Sequence, residues 1–282
     1  MIYLTSFKFP TLDMEESFLS TISSVYDFSY PFRLFSGAGL RKLEFEPITI
    51  LYGGNGTGKT TALNVIAEKT TANRVSAYNK TNFYSDYVEL CEASISGEIP
   101  KNSAIITSDD VFNYMLDIRN LNEGIDEKRE ELFKEYIEKK NTYNFSLVDE
   151  YGEAKRISKI KRATMHNFIR SELMNNVREY SNGESSFRYF TEKVDENALY
   201  ILDEPENSLS LNRQMEMKSF IEESVRFFGC QFIISTHSPF LLSMEGAKIY
   251  NLDKKPVVTS KWTELESVLS WYSFFKDRED EF

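Results

Sequence analysis

A glycine-rich segment followed by a lysine and a threonine is the first feature of the chain that could do chemistry. The run Gly53-Gly54-Asn55-Gly56-Thr57-Gly58-Lys59-Thr60 has the spacing of a phosphate-binding P-loop. Glycines let the backbone turn its N–H groups toward one point, Lys59 adds a positive charge, and Thr60 can place a hydroxyl on Mg²⁺. The preceding run Ile48-Thr49-Ile50-Leu51-Tyr52 reads as a buried strand, and the residues from Thr61 onward read as a helix whose N-terminus favours an anion. The predicted nucleotide-binding residues are Gly53, Asn55, Gly56, Thr57, Gly58, Lys59, Thr60 and Thr61.

Two acids follow another apolar run, and their order suits metal-assisted hydrolysis. The run Leu199-Tyr200-Ile201-Leu202 reads as a buried strand and leads directly into Asp203 and Glu204. Such a strand holds a carboxylate rigidly, so Asp203 can reach a Mg²⁺ ion bound at the P-loop. Glu204 is placed to orient and deprotonate an attacking water. We therefore predict a metal site at Thr60 and Asp203, a catalytic base at Glu204, and ATP with Mg²⁺ as ligands.

A histidine follows a third apolar run. His237 lies in Ser235-Thr236-His237-Ser238-Pro239, directly after Gln231-Phe232-Ile233-Ile234. Polar residues at the carboxyl ends of parallel strands lie where open α/β sheets bind their ligands. The chain has only two histidines, so we favour a catalytic role for His237 at the γ-phosphate or the water over a purely structural one.

The composition limits the classes of function. A hydrophobic content of 41% supports a real core. The formal net charge of −11 argues against broad binding to nucleic acid, although a local basic patch stays open. Cys91 and Cys230 lie far apart and outside metal-ligand spacing, so we expect a reducing, cytoplasmic compartment. The N-terminus lacks the regions of a signal peptide. No run approaches about 18 apolar residues, so we expect no membrane span.

The spacing of apolar residues predicts the order of the elements. Residues 1–9 and 30–46 alternate between apolar and polar, which predicts strands of an antiparallel sheet that include Phe32 and Leu34. The run 88–95 reads as a further strand. The remaining predicted elements are a helix marked by Met14, Phe18, Ile22 and Val25, a strand at 104–107, a helix marked by Met215, Phe220, Ile221 and Val225, strands at 231–235 and 247–251, and a closing helix at 262–275.

The middle of the chain differs in composition. Glu and Lys become dense over residues 111–175, which predicts a helical lobe over 111–180 inserted into the α/β domain. Residues 154–170 hold six Lys or Arg and no acid. We favour a solvated helix face for this basic run, and a strip that binds nucleic acid or an acidic partner stays open.

A fourth motif completes a set. Tyr180-Ser181-Asn182-Gly183-Glu184-Ser185-Ser186 precedes the strand that ends at Asp203. Along the chain, the P-loop, Ser-x-Gly-Glu-Ser, Asp-Glu-Pro-Glu and Ser-Thr-His-Ser-Pro follow one another in this order. The set resembles the ABC-type ATPases, and more closely the stand-alone bacterial ATPases of SMC, RecF and OLD character. The resemblance implies a head-to-tail homodimer that sandwiches two ATP molecules, with Ser181, Gly183 and Glu184 facing the γ-phosphate bound by the other copy. Asn182 and Glu184 depart from the transporter signature Leu-Ser-Gly-Gly-Gln, and Asn207-Ser208-Leu209-Ser210 falls where the family has its D-loop.

Two contacts of this family have no clear counterpart. The position of the Q-loop corresponds to Ser108-Asp109-Asp110, which contains no Gln, although an acid could reach Mg²⁺ through water. Tyr30 and Phe32 are candidates to stack on adenine, and we expect core packing for both.

The predicted fold is an α/β P-loop NTPase of ABC-ATPase type spanning residues 1–282 as one domain, with a mixed sheet, an antiparallel edge subdomain and an inserted helical lobe that ends in the signature. The predicted activity is Mg²⁺-dependent hydrolysis of ATP. The resemblance implies an ATP-driven switch for a partner effector, as in bacterial anti-phage defence. The alternatives are a DNA-repair or DNA-end ATPase, a transporter motor, which the signature and the lobe disfavour, and a module that binds ATP without turnover, which Glu204 disfavours.

Overall fold

The structure, a computed structural model, describes residues 1–21, 29–141, 159–160, 164–173, 182–207 and 209–281. The chain divides into two compact units. The first unit comprises Met1–Phe112 and Asn182–Phe282, and the second comprises Asn113–Ser181.

A six-stranded sheet forms the centre of the first unit. Its spatial order is β5 (Ala104–Thr107), β6 (Leu199–Asp203), β7 (Gln231–Ser235), β3 (Ile48–Tyr52), β8 (Lys248–Asn251) and β9 (Val258–Thr259). All neighbours pair in parallel except β8 and β9. Every residue of β3, β6 and β7 is buried, as expected for parallel strands that are covered on both faces. The continuous apolar runs in the sequence therefore became the central strands.

A second, antiparallel sheet has three strands. Its order is β2 (Lys42–Glu44), β1 (Leu4–Lys8) and β4 (Glu92–Ile95). The predicted antiparallel edge subdomain and the mixed character of the main sheet are thus confirmed.

Two predicted strand segments are wrong. Leu34 begins a short helix, α2 (Leu34–Gly37), and Phe32 lies in the turn before it. Phe32 is buried against the rings of Phe18 and Tyr87, at 5.1–5.2 Å between ring centroids. The apolar alternation at this point reflects a turn that packs into the core. Residues 88–90 of the predicted strand at 88–95 are likewise helical, while Glu92–Ile95 forms β4.

Helices cover the sheets of the first unit. The helices are α1 (Leu12–Thr21), α2, α3 (Lys59–Lys69), α4 (Tyr84–Leu90), α7 (Asn182–Lys193), α8 (Leu211–Phe227), α9 (Pro239–Leu242) and α10 (Glu266–Lys276). Helix α3, which follows the P-loop, is the most deeply buried of these, and Leu63, Val65 and Ile66 are fully inaccessible to solvent. Ile22 and Val25, predicted for the first helix, lie outside the described residues.

The second unit is helical where it is described. Helix α5 (Ser108–Asn141) begins in the first unit and continues into the second, and α6 (Met165–Glu172) follows. Leu132, Tyr136, Ile160 and Phe168 form a buried apolar cluster within this unit. The predicted helical insertion is confirmed, and its boundaries at 111 and 180 stay a prediction. Among the described residues, no helix combines the length and the apolar composition needed to cross a bilayer.

Candidate nucleotide site

The P-loop joins the end of β3 to the start of α3, as the sequence predicts. Lys59 and Thr60 are the first two residues of α3. Gly58 has φ of 94°, and a Cβ atom there would lie 3.0 Å from Leu34 Cδ2. Gly53 is equally constrained, because its Cβ would lie 2.8 Å from Thr57 Oγ1. Glycine is therefore required at both positions, at the first for its backbone angle and at the second for space.

The interior of the loop is organised around Lys59. Its buried Nζ donates to the carbonyl oxygens of Gly53 (2.7 Å) and Gly54 (3.1 Å). The Gly54 N–H donates to Asp253 Oδ1 at 2.7 Å. The ammonium group thus lies inside the loop, where it can bind a phosphate oxygen.

A pocket of about 310 Å³ opens beside the loop. It is lined by Tyr30, Leu34, Asn55, Gly56, Gly58, Lys59, Thr60, Thr61 and Glu204. Most of the predicted nucleotide-binding residues and the predicted base therefore meet in one cavity.

Tyr30 is a pocket residue that sequence reasoning assigned to the core. Its side chain is 41% exposed, and its hydroxyl hydrogen-bonds the Thr61 hydroxyl at the start of α3. Phe32, the other stacking candidate, belongs to the core as expected. Both aromatic residues stand in the same apolar pattern, so the sequence held no signal that separates them.

The parallel register brings the three motifs together. Asp203, the last residue of β6, pairs with Ser235, the last residue of β7, and Ser235 also pairs with Leu51 of β3. The strands that precede the P-loop, the two acids and the histidine therefore end side by side, as expected for a ligand site at the carboxyl edge of a sheet.

Asp203 and Thr60 offer oxygen atoms that fit Mg²⁺. Thr60 Oγ1 lies 3.1 Å from Asp203 Oδ1, and Ser235 Oγ donates to the same carboxylate oxygen. Burial raises the pKa of Asp203 in spite of these hydrogen bonds, and a bound cation would offset the cost of ionising it there. Among the described residues no cluster of three His, Cys, Asp or Glu could hold a metal. Two protein oxygens completed by phosphate oxygens and water are a usual arrangement for Mg²⁺.

Glu204 is held in an uncommon backbone conformation. Its φ is 47°, in the left-handed region, where a residue with a side chain costs about 1–3 kcal/mol. Its N–H donates to both the carbonyl oxygen (3.0 Å) and Oγ (3.1 Å) of Ser235. Its Oε2 accepts a hydrogen bond from Asn207 Nδ2 at 3.1 Å. These contacts hold the carboxylate at the pocket.

His237 faces the same carboxylate. Its Nε2 lies 3.6 Å from Glu204 Oε1, and among the described residues this buried nitrogen has no hydrogen-bond partner. Burial, followed by the charge of Lys59, lowers the pKa of His237, while Glu204 and Asp253 oppose the shift. A neutral ring can donate or accept one hydrogen bond at this position.

Glu206 is a site residue that sequence reasoning missed. Its Oε1 accepts hydrogen bonds from the backbone N–H groups of His237 (2.6 Å) and Ser238 (3.2 Å). Burial raises the pKa of Glu206. The carboxylate therefore anchors the loop that carries His237. The only signal for Glu206 in the sequence is its place in the run Asp203-Glu204-Pro205-Glu206, which does not distinguish it from an exposed acid.

The signature residues are only partly described. Gly183 and Glu184 lie in the first turn of α7, and Glu184 Oε1 is 3.5 Å from Arg213 Nη2 of α8. Ser181 lies outside the described residues, as does Ser208 of the predicted D-loop. Ser210, at the end of that segment, caps α8 through the Arg213 N–H.

The acid nearest the Q-loop position is engaged by the protein itself. Asp110 is buried; its Oδ1 accepts from the Ser76 N–H (2.8 Å) and its Oδ2 from the Thr107 N–H (2.7 Å) and hydroxyl (2.9 Å). These hydrogen bonds give Asp110 a structural role at the start of α5.

The fold and these motifs define a P-loop ATPase. The family model described as "ABC transporter" matches residues 42–207, which is more than half of the chain. The model described as "AAA ATPase domain" matches residues 184–242. The chain therefore belongs to the ABC transporter family, the ABC-type ATPases, and it hydrolyses ATP with Mg²⁺. No curated protein matches the chain.

Three solved structures that match the chain have little sequence in common with it. A putative metal-chelate type ABC transporter in an inward-facing conformation is 12% identical, with a TM-score of 0.43, 97% of this chain covered and 90% of the other. A Smc head domain from Pyrococcus furiosus, bound to the C-terminal domain of ScpA, is also 12% identical, with a TM-score of 0.43 and coverage of 97% and 100%. A dimeric ATP-binding cassette bound to ADP and Pi in a post-hydrolysis state is 13% identical, with a TM-score of 0.37 and coverage of 79% and 90%.

Proposed function

We propose that Glu204 and His237 carry out the hydrolytic step in this site. Their side chains meet at 3.6 Å beside the P-loop, and this contact is the observation that carries the assignment. Glu204 takes the proton of the attacking water, and the neutral ring of His237 hydrogen-bonds the γ-phosphate or that water. Lys59 and the loop amides hold the phosphates.

Thr60 and Asp203 hold the metal ion in this proposal. When bound, Mg²⁺ neutralises charge on the phosphate oxygens. The hydroxyl of Thr60 and the carboxylate of Asp203 already lie 3.1 Å apart, so little rearrangement is needed to coordinate one ion.

The active form in this proposal is a head-to-tail homodimer. Glu184 is paired with Arg213, and it is not among the residues that line the pocket beside Lys59. Among the described residues, a single chain thus supplies the phosphate, metal and water groups without Glu184. Ser181, Gly183 and Glu184 of a second copy would then complete each site.

We further propose that closing and reopening of the dimer switches a partner effector, as the resemblance to stand-alone defence ATPases implies. Direct action on nucleic acid has less support. Within the described part of the basic run, Lys159 is paired with Glu172, and Lys155, Arg156, Lys161 and Arg162 lie outside it. A transporter role is disfavoured because the signature departs from the transporter form. A module that binds ATP without hydrolysing it is disfavoured because Glu204 is present.

Mixing two inactive variants tests the composite site. Lys59→Ala removes the ammonium that holds the phosphates. Gly183→Asp adds a negative charge in the first turn of α7, where acids suit the helix dipole and where it would repel a γ-phosphate bound by the other copy. Each variant alone should release little phosphate from MgATP. A one-to-one mixture should recover about a quarter of the wild-type rate, since half of the dimers pair the two variants and each of these has one intact site.

The mixture also distinguishes a site that two chains share from a site that lies within one chain. Recovery requires that a P-loop from one chain works with a signature from another. If the mixture stays as inactive as its components while the wild-type protein turns over, each site works within one chain and the dimer proposal fails. Arg188→Ala, an exposed change in the same helix as Gly183, is the control and should keep the wild-type rate.

A further inference from the structure

A second cavity, distinct from the nucleotide pocket, lies on the first unit. It has a volume of about 790 Å³ and shares no lining residue with the pocket beside the P-loop. Its apolar wall includes Leu211, Phe240, Trp262, Leu269, Trp271 and Tyr272. We call this cavity the aromatic groove.

The helix that forms one wall of the aromatic groove, α10, is fixed to the protein by few of its residues. Leu265, just before the helix, and Val268 are buried, and Ser267 Oγ accepts a hydrogen bond from the Tyr52 hydroxyl at 2.9 Å. From Leu269 onward every described residue is exposed. One edge of the helix therefore anchors it, and the remaining edges point to solvent.

Those exposed edges are strongly apolar. The exposed fractions are 49% for Leu269, 55% for Trp271 and 65% for Tyr272. Phe274, which does not line the groove, is half exposed as well, so the apolar surface extends beyond the cavity. A contiguous apolar surface of this kind marks an interaction site, and Trp and Tyr dominate the binding energy of protein interfaces.

Part of the groove lining comes from the two loops that follow β6 and β7. Glu206 and Asn207 belong to the first of these loops, and His237 and Ser238 belong to the second. Ser238 Oγ donates to Gln214 Oε1 at 2.7 Å, which ties the second loop to α8. A molecule in the groove would thus touch the segments that position both His237 and Glu204.

The charge around the groove indicates what binds there. Residues 261–281 contain six acids and three bases, and Asp277–Glu281 alone contains four acids and one arginine. A second copy docked through α10 would bring the same acid-rich segment against itself, which is unfavourable. A segment with apolar anchors and flanking Lys or Arg satisfies both the apolar groove and the acid-rich segment that carries α10.

We propose that the aromatic groove binds a basic amphipathic helix of a partner protein, and that this binding changes the rate of ATP hydrolysis through the loop at His237. The regulatory part of this proposal rests on the partner-effector function proposed above. Coupling between the two sites is reciprocal, so ATP at the pocket also changes the affinity of the groove.

The chain offers a label-free signal for the test. It contains two tryptophans, Trp262 and Trp271, and both line the groove. Tryptophan emission and its quenching by acrylamide therefore report on this surface alone. The probes are two synthetic helical peptides of about 18 residues, with Leu and Phe on one face and either Lys or Glu on the other.

The expected result is a blue shift and protection from quenching with the Lys peptide, at an affinity at least about tenfold higher than with the Glu peptide. Leu269→Glu should weaken the Lys peptide at least about tenfold. Phe227→Glu, at an apolar position that is 68% exposed elsewhere on the unit, adds the same charge and should leave binding unchanged. The Lys peptide should also change the rate of phosphate release at least about twofold.

Three results would overturn the proposal. Equal binding of the Lys and Glu peptides would show that charge does not select the partner. Tryptophans that are already shielded in a dimer that Leu269→Glu dissociates would show that a second copy covers the groove. Binding with an unchanged hydrolysis rate would remove the regulatory role. The proposed hydrolytic function is measured without peptide, so a lack of basal turnover would refute that function and leave the binding result intact.

Discussion

Substitution of Glu206 tests whether the position of His237 matters for the turnover of ATP. Its carboxylate is the only described acceptor for the His237 N–H, while the Ser238 N–H also reaches Thr236 Oγ1 at 3.0 Å. Glu206→Ala would therefore leave one backbone donor of the loop without its acceptor and weaken the hold on another.

The magnitude follows from these contacts. A hydrogen bond to a charged group contributes about 1.5–3 kcal/mol, so losing one fully and one in part costs about 2–4 kcal/mol. Burial raises the pKa of this carboxylate, so removing it returns part of that cost. A net loss of at most about 2–4 kcal/mol, if it acts on the position of His237, lowers kcat by at most about 30–900-fold. Glu206→Gln keeps the acceptor oxygen and should stay within about fivefold of wild type.

The assay is steady-state release of phosphate from MgATP, with the melting temperature measured in parallel. The deciding measurement is a double-mutant cycle with His237→Ala. If Glu206 acts by positioning His237, Glu206→Ala should have little further effect on kcat once that ring is absent. An equal loss of kcat in both backgrounds would refute the reasoning, and so would a lower melting temperature with kcat unchanged.

The remaining predictions concern the base, the histidine charge and a thiol. Glu204→Gln keeps the hydrogen bond from Asn207 and should lower kcat by about 10²–10⁴-fold with little change in KM, measured by phosphate release. The folded-state pKa of His237 lies below its ordinary 6.5. Acidification therefore protonates the unfolded state first and destabilises the folded state. Between about pH 7 and pH 5, the melting temperature of His237→Asn should fall less than that of wild type. Burial raises the pKa of Cys91 to about 12, so iodoacetamide at about pH 8 should modify it only after unfolding, as mass spectrometry can show.

The central strands were the part of the fold that sequence could predict. The bounds of β3 and β7 match the predicted runs. A strand that is buried on both faces needs apolar residues throughout, so its apolar run shows both its position and its length. The first part of the predicted Val88–Ile95 strand, through Leu90, was wrong for the converse reason, whereas Glu92–Ile95 is the strand β4. Val88 belongs with Tyr84 and Tyr87 at helical spacing, and all three are buried, but a short apolar run does not distinguish a helix from a strand.

The candidate site likewise has residues that the sequence could predict and residues that it could not. The P-loop, Asp203 and Glu204 could be predicted because their chemistry fixes both residue type and spacing along the chain. The hydrogen bonds from Glu206 to the His237 loop could not, since they join residues 31 positions apart and any acid near the strand end would look the same. Tyr30 is a comparable case, because only the folded structure shows that it faces the pocket and not the core.

Ser235 connects the residues that we propose for hydrolysis. Its hydroxyl donates to Asp203, and its carbonyl oxygen and hydroxyl both accept from the Glu204 N–H. The end of β7 therefore fixes Asp203, the proposed metal ligand, and Glu204, the proposed base, and His237 follows two residues later. Ser238, the next residue, lines the aromatic groove and is tied to Gln214. A shift of this short loop in response to nucleotide must move the wall of the groove, because the same backbone forms both.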